Sequence, residues 1–174
     1  MGNVSLNGKT VLVTGAAGFI GSNLVKRLLK DCPGISVIGI DNMNDYYDVG
    51  LKEARLAELS AQKAFTFERG SIADKTLVAG IFDTYKPSVV VNLAAQAGVR
   101  YSIDHPDSYI QSNIVGFFNI SYGVMLSAEE FVEQINYYAR LLMAGDKEPL
   151  ITLLKPEVTY NSFAIDLLEM VYAF

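Results

Sequence analysis

Three glycines spaced three apart, Gly15, Gly18 and Gly21, stand between a short apolar run and a helical pattern. That spacing suits phosphate chemistry. The first glycine permits a tight turn. The second lets a diphosphate approach backbone N–H groups at a helix start, where the dipole favours negative charge. The third lets the helix pack close to the preceding strand. Asp41 follows 20 residues after Gly21, at the end of a second apolar run. A carboxylate there can accept both ribose hydroxyls of an adenosine. The spacing is G-x-x-G-x-x-G rather than G-x-G-x-x-G, and glycines alone are a weak signal. The strand before, the helix after and the acid at the matched distance together predict a dinucleotide site. Asp41 would repel a 2′-phosphate, and no arginine stands at 42–45, so the pattern favours NAD over NADP.

These residues need a scaffold, and the hydrophobic pattern supplies one. Residues 10–14 are β-branched or apolar and read as a buried strand. Residues 22–30 read as a helix with Leu24, Val25, Leu28 and Leu29 on one face and Lys26, Arg27 and Lys30 solvated. Residues 36–41 form a second strand, and 42–48 are polar and aromatic, hence a loop. A helix is expected over 51–61 with Lys52, Glu53, Arg55 and Glu58 outside. Residues 64–69 alternate as a third strand. Asp74 can cap a helix running to 85, which Lys86-Pro87 ends. Residues 88–93 make a fourth strand, apolar enough for burial on both faces. The alternation of strand and helix implies an α/β fold: a Rossmann-type parallel sheet of order 3-2-1-4 with right-handed crossovers. Ligands then bind at the C-terminal strand ends.

The stretch 94–106 leaves the fourth strand at that same edge. Ala94 and Ala95 are small enough for a cofactor to lie close, and Gln96, Arg100, Tyr101 and Ser102 offer polar contacts. Arg100 suits a carboxylate or phosphate. His105, before Pro106, reads as a structural loop histidine. A long helix is expected over 107–125. Its apolar positions, among them Tyr109, Ile110, Ile114, Phe117, Phe118 and Ile120, imply burial on more than one side.

With 174 residues, half of them apolar, the chain suits one domain with an appendage. A net charge of −5 argues against a general nucleic-acid binder. No run approaches the roughly 18 apolar residues of a membrane span, and no export signal is apparent. The one cysteine, Cys32, precludes an internal disulfide, suits a reducing cytoplasm and reads as a packing residue.

The motifs in series resemble a known family. Thr14-Gly15-Ala16-Ala17-Gly18-Phe19-Ile20-Gly21-Ser22, Asp41-Asn42-Met43-Asn44-Asp45-Tyr46-Tyr47, Gly70-Ser71-Ile72-Ala73-Asp74, the run from Asn92 through Ser102, and Ser112-Asn113-Ile114-Val115-Gly116 occur in its order and spacing. Residues 9–120 resemble the N-terminal part of the extended short-chain dehydrogenase/reductases. Among these they match the NAD-dependent nucleotide-sugar epimerases and their UDP-glucuronate 4-epimerase branch. The resemblance implies that Gly15, Gly18, Phe19, Ile20 and Gly21 hold the NAD diphosphate and that Asp41 and Asn42 hold the adenosine ribose. Ser71 and Ile72 would border the adenine, where many relatives have an acid in place of Ser71. Leu93, Ala94, Ala95 and Gln96 would line the cofactor's inner half, and Arg100, Tyr101 and Ser102 would lie where the sugar enters. In this family C4 of the sugar is oxidised, the 4-keto sugar rotates, and the hydride returns to the other face.

That reaction needs a base on the C4 hydroxyl. The family uses a tyrosine with a lysine four positions later, whose charge lowers the tyrosine pKa. No lysine of this sequence stands four residues after a tyrosine. The family's serine-rich strand before the tyrosine is also missing, and Tyr122 is followed at that distance by Leu126. No catalytic or metal-binding residue is therefore assigned. Residues 1–125 are expected to be the NAD-binding part and 126–174 a helical tail of unknown origin. In that tail 127–130 has a capping-box pattern and Phe131, Ile135, Tyr138 and Leu142 form a stripe that Gly145 can end. Residues 149–154 are short and apolar, and a last helix begins near 161. The expectation is a truncated, catalytically incomplete epimerase portion. The alternatives are a non-catalytic module pairing with an intact epimerase, and one half of a split enzyme. A UDP-sugar would bind only if another chain completed the site, and the helix over 107–125, a dimer helix in the family, would pair two chains.

Overall fold

A computed structural model of the chain describes residues 5–127. Expectations for the tail beyond them lie outside the described residues. Four parallel strands form one sheet: β1 (Thr10–Thr14), β2 (Ser36–Asp41), β3 (Phe65–Arg69) and β4 (Val89–Asn92). Their order is β3-β2-β1-β4, as the alternating pattern predicts. The register brings Thr14 level with Ile40 on one side and Asn92 on the other, so the strands end together.

Helices cover both faces. On one, α1 (Phe19–Asp31) and α2 (Val49–Ser60) pack through Val25, Leu28 and Leu59 against Val11, Val13 and Val37. Cys32 packs at the margin of this cluster. On the other face, α3 (Lys75–Tyr85) brings Val78, Ile81 and Phe82 onto Leu12, Ile38 and Ile40, where Ile120 joins them. Adjacent β1 and β2 residues thus serve opposite layers, as the period of a strand requires. Asp74 caps α3 by accepting from the N–H groups of Thr76 and Leu77, and Lys86 ends it in the left-handed region at φ 45°.

Several local expectations are corrected. Helix α1 starts at Phe19 rather than 22, because Gly18 caps it from an extended backbone. Strand β4 is half-buried rather than buried on both faces. Val89 and Val91 reach one core layer and Val90 the other, but β4 pairs only with β1 among the described residues. In the stretch after it, to which the sequence assigned no element, α4 (Val99–Asp104) forms. The long helix expected over 107–125 is broken into α5 (Pro106–Tyr109), a π-helical turn (Ile110–Val115) and α6 (Gly116–Ser127). Of its apolar positions Ile120 is buried, whereas Ile110, Ile114 and Phe118 are exposed. Packing against α3 explains this, since α6 applies one side to it, and a Cβ on Gly123 would overlap the Phe82 ring.

Candidate functional site

The glycine turn joins β1 to α1 at the C-terminal edge of the sheet. Gly15 takes φ 68°, a left-handed conformation that glycine adopts at no steric cost. The N–H groups of Gly15 and Ala16 donate to the Ile40 carbonyl at 2.8 and 3.2 Å, tying the turn to the end of β2. Gly18 caps α1 with no side-chain hydrogen bond, and no acid stands in the first turn. The first N–H groups of α1 therefore keep their donor capacity toward the edge. A Cβ on Gly21 would overlap the Gly15 carbonyl, so only glycine lets the helix start this close to the turn.

Asp41 is buried and holds two loops at once. Its Oδ2 accepts from Ala17 N–H at 3.1 Å and its Oδ1 from Met43 N–H at 2.9 Å. The second bond pins Met43 in the left-handed region, at φ 54°. Each carboxylate oxygen has a further lone pair to offer a ligand. The Lys52 ammonium lies 3.9 Å from Oδ1 and donates to Asn44 O and Asn44 Oδ1 at 2.9 and 2.8 Å. Lys52 was expected outside its helix and is buried instead. Its stem runs under the loop after β2, and Asp41 and Asn44 satisfy its charge and donors. Arg55, also expected outside, is half-buried. Its Nη1 donates to the Ala17 carbonyl at 3.5 Å, and its guanidinium lies 5.9 Å from the centre of the Phe19 ring.

The exit from β4 is held by two side chains that sequence reasoning gave no role. Thr14 Oγ1 accepts from the N–H groups of Leu93 and Ala94, both at 2.9 Å, and donates to Asn92 Oδ1. Asn113, in the π-helical turn, accepts from Gln96 N–H at 2.8 Å and donates to the Gln96 carbonyl at 2.9 Å. Asn119 donates to the carbonyls of Ile72 and Ala73, both at 3.0 Å, and so fixes the loop after β3. Asn113 lies within a matched motif, but nothing in its type specified this clamp. Gln96 is buried, and its Nε2 completes no hydrogen bond. The nearby Tyr109 hydroxyl donates instead to the carbonyls of Ala97 and Gly98. Desolvation first, and then Tyr46 and Tyr101, raise the Tyr109 pKa above the usual tyrosine value.

Between these loops runs a groove of about 500 Å³ across the strand ends. All thirteen residues that the resemblance implied for a cofactor line it, from Gly15 to Gln96. Tyr46, Tyr47, Lys52 and Arg55 line it as well. Arg100, Tyr101 and Ser102 do not. Arg100 is exposed on α4, and Ser102 Oγ donates to the Val99 carbonyl at 2.6 Å. Tyr101 instead joins an aromatic cluster, 4.7 Å from the Tyr46 ring and stacked 4.2 Å from His105. Tyr122 stacks on Phe118 beneath the Lys75 ammonium, away from the groove. Among the described residues no three His, Cys, Asp or Glu side chains converge as a metal site, and no helix is long and apolar enough to cross a membrane.

The sequence model of one family, GDP-mannose 4,6 dehydratase, matches residues 12–140, which run from within β1 through β2, β3 and β4 and take in the whole groove. The chain belongs to that family. It is 54% identical over 110 residues to Protein CapI of Staphylococcus aureus, covering 63% of this chain and 32% of that one. It is 50% identical over 114 residues to UDP-glucuronate 4-epimerase 4 of Arabidopsis thaliana, covering 66% of this chain and 25% of the relative. A solved structure of UDP-glucuronic acid 4-epimerase from Bacillus cereus, in complex with UDP-glucuronic acid and NAD, superposes with a TM-score of 0.60 at 34% identity. That match covers 66% of this chain and 35% of the other. The chain thus spans between a quarter and a third of the length of the curated relatives it matches. Within the family, the shared part is the sheet and groove just described.

Proposed function

We propose that this chain is the NAD-binding portion of a nucleotide-sugar epimerase of the UDP-glucuronate 4-epimerase kind. One observation carries the reading: the glycine turn, Asp41, the loop after β3 and the exit of β4 meet in a single groove at the strand ends. The groove fits a dinucleotide. The first turn of α1, entered from Gly18, offers N–H groups to a diphosphate, and Asp41 stands beside them for the ribose hydroxyls. Ser71 and Ile72 border the far end. Gln96, with Ala94 and Ala95, lines the inner end. When bound, NAD would take a hydride from C4 of the sugar and return it; the chain's own residues bind and orient the dinucleotide.

None of the ten tyrosines in these 174 residues has a lysine four positions on, which supports reading the chain as lacking the family's proton-transfer pair. We therefore assign no turnover to the chain alone. In this reading a UDP-sugar binds when another chain supplies the remaining groups, with Arg100, Tyr101 and Ser102 at the sugar's entrance. Pairing is supported by exposed apolar side chains spaced four apart, Ile110, Ile114 and Phe118. The unpaired Cys32 agrees with a reducing, cytoplasmic setting.

The test is a calorimetric titration of the purified chain with NAD and NADP, followed by an assay with UDP-glucuronate. Saturable NAD binding with no epimerisation is expected. A folded chain that binds neither nucleotide would refute the cofactor role, and turnover by a contaminant-free sample would refute the incomplete site.

A further inference from the structure

Arg55 is a groove-lining cation to which the reading above gives no task. It reaches from α2 to the glycine turn, where Nη1 meets the Ala17 carbonyl at 3.5 Å and the guanidinium lies over the Phe19 ring. Both neighbours are neutral. The ion pairs among the described residues are Lys26 with Glu58, Arg27 with Asp31 and Lys52 with Asp41. Arg55 is in none of them. A guanidinium carries five N–H donors in a planar fork, so most of its donors and all of its charge are open to a ligand. It is half-buried, which limits screening of that charge by water. The residue it touches, Ala17, also gives its N–H to Asp41, so Arg55 stands where the diphosphate end of the groove meets the ribose end.

We propose that Arg55 binds a phosphate group of the nucleotide in this groove, acting from α2 alongside the first turn of α1. The inference rests on the dinucleotide reading and adds a second anion anchor to it. Two phosphates have the required chemistry: the bridging diphosphate, common to NAD and NADP, and the 2′-phosphate of NADP. No arginine stands at 42–45 to meet a 2′-phosphate, yet the fold brings Arg55 to the same end of the groove.

The test titrates the full chain and its Arg55→Gln and Arg55→Lys variants with NAD and NADP, at several salt concentrations. Unfolding of each unliganded protein is followed in parallel. Arg55→Gln is expected to weaken binding about tenfold, to flatten its salt dependence and to leave unliganded unfolding unchanged. Arg55→Lys, which keeps the charge without the fork, should recover part of the loss. Equal weakening of both nucleotides assigns the diphosphate, and weakening of NADP alone assigns the 2′-phosphate; either supports the proposal. Both nucleotides bound by Arg55→Gln as tightly and with the same salt slope as by the unsubstituted chain overturns it and leaves the cofactor reading intact. Weakening with an unaltered salt slope, or with unfolding impaired alike in both variants, reveals a packing role and also overturns it. An unsubstituted chain that binds neither nucleotide overturns both.

Discussion

Thr14→Val is the substitution that best separates scaffold from site. Valine has nearly the shape of threonine, so the fully buried pocket at the end of β1 neither empties nor overfills. What changes is one oxygen. Two backbone N–H groups, of Leu93 and Ala94, lose their acceptor at 2.9 Å, and Asn92 Oδ1 loses its donor. A buried polar group left without its partner costs about 1–3 kcal/mol. The three partners here are part-buried, so the low end applies to each, for a total of roughly 2–4 kcal/mol. The control is Thr14→Ser, which keeps the oxygen and loses one methyl, about 1 kcal/mol. Urea unfolding at neutral pH measures both. NAD titration adds a second reading, because Leu93 and Ala94 line the groove and move once released. If valine costs no more than serine, the hydroxyl does not hold the exit of β4 and the account of the inner wall is wrong.

Other expectations are as direct. Asp41→Ala should weaken NAD binding by about 1.5–3 kcal/mol, the range for hydrogen bonds to a charged group; an unchanged dissociation constant would remove Asp41 from the ribose. Gly21→Ala should both destabilise the fold and weaken NAD, since its Cβ would force the Gly15 carbonyl aside; full NAD affinity in that variant would refute the tight helix start. Tyr85 donates to Glu68, and that hydrogen bond, more than burial, raises its pKa above the usual 10.0. A raised folded pKa contributes stability that is complete below pH 10.0 and lost as pH climbs through the folded value. Tyr109 adds to the same alkaline loss, so the comparison is between the unsubstituted chain and Tyr85→Phe, unfolded at pH 8 and again near pH 11. The phenylalanine variant should lose less over that interval; equal losses would dismiss the Tyr85–Glu68 pair as a contributor.

The sheet and its order were legible because each strand is a short β-branched run and each crossover carries a helix pattern. The glycine turn and the place of Asp41 at the end of β2 were legible because the strand before, the helix after and the acid at its distance form one pattern together. The rest depended on tertiary contacts that no local pattern encodes. Lys52 sits at a helical position that reads as solvent-facing, and only Asp41 and Asn44, from another segment, make its burial tolerable. Thr14 reads as an ordinary strand residue until β4 arrives beside it. The π-helical turn is invisible to a 3.6-residue pattern, which is why 107–125 looked like one helix. The same pattern overstated its burial, since hydrophobicity alone does not say that α3 covers just one side of α6.

The position of β1 in the sheet has a consequence for how the molecule is made. Of the four strands β1, which lies between β2 and β4, is synthesised before the others, and the partner of its last residue lies 78 positions further on, as Thr14 and Asn92. At ordinary ribosomal speeds that interval is roughly 4–16 s. Throughout it, the flank of β1 that will receive β4 has no native neighbour, and the groove lacks its inner wall. The nucleotide site is therefore incomplete on a growing chain until the exit of β4 has been made. A ligand present during translation can stabilise the domain only after Asn92 has emerged.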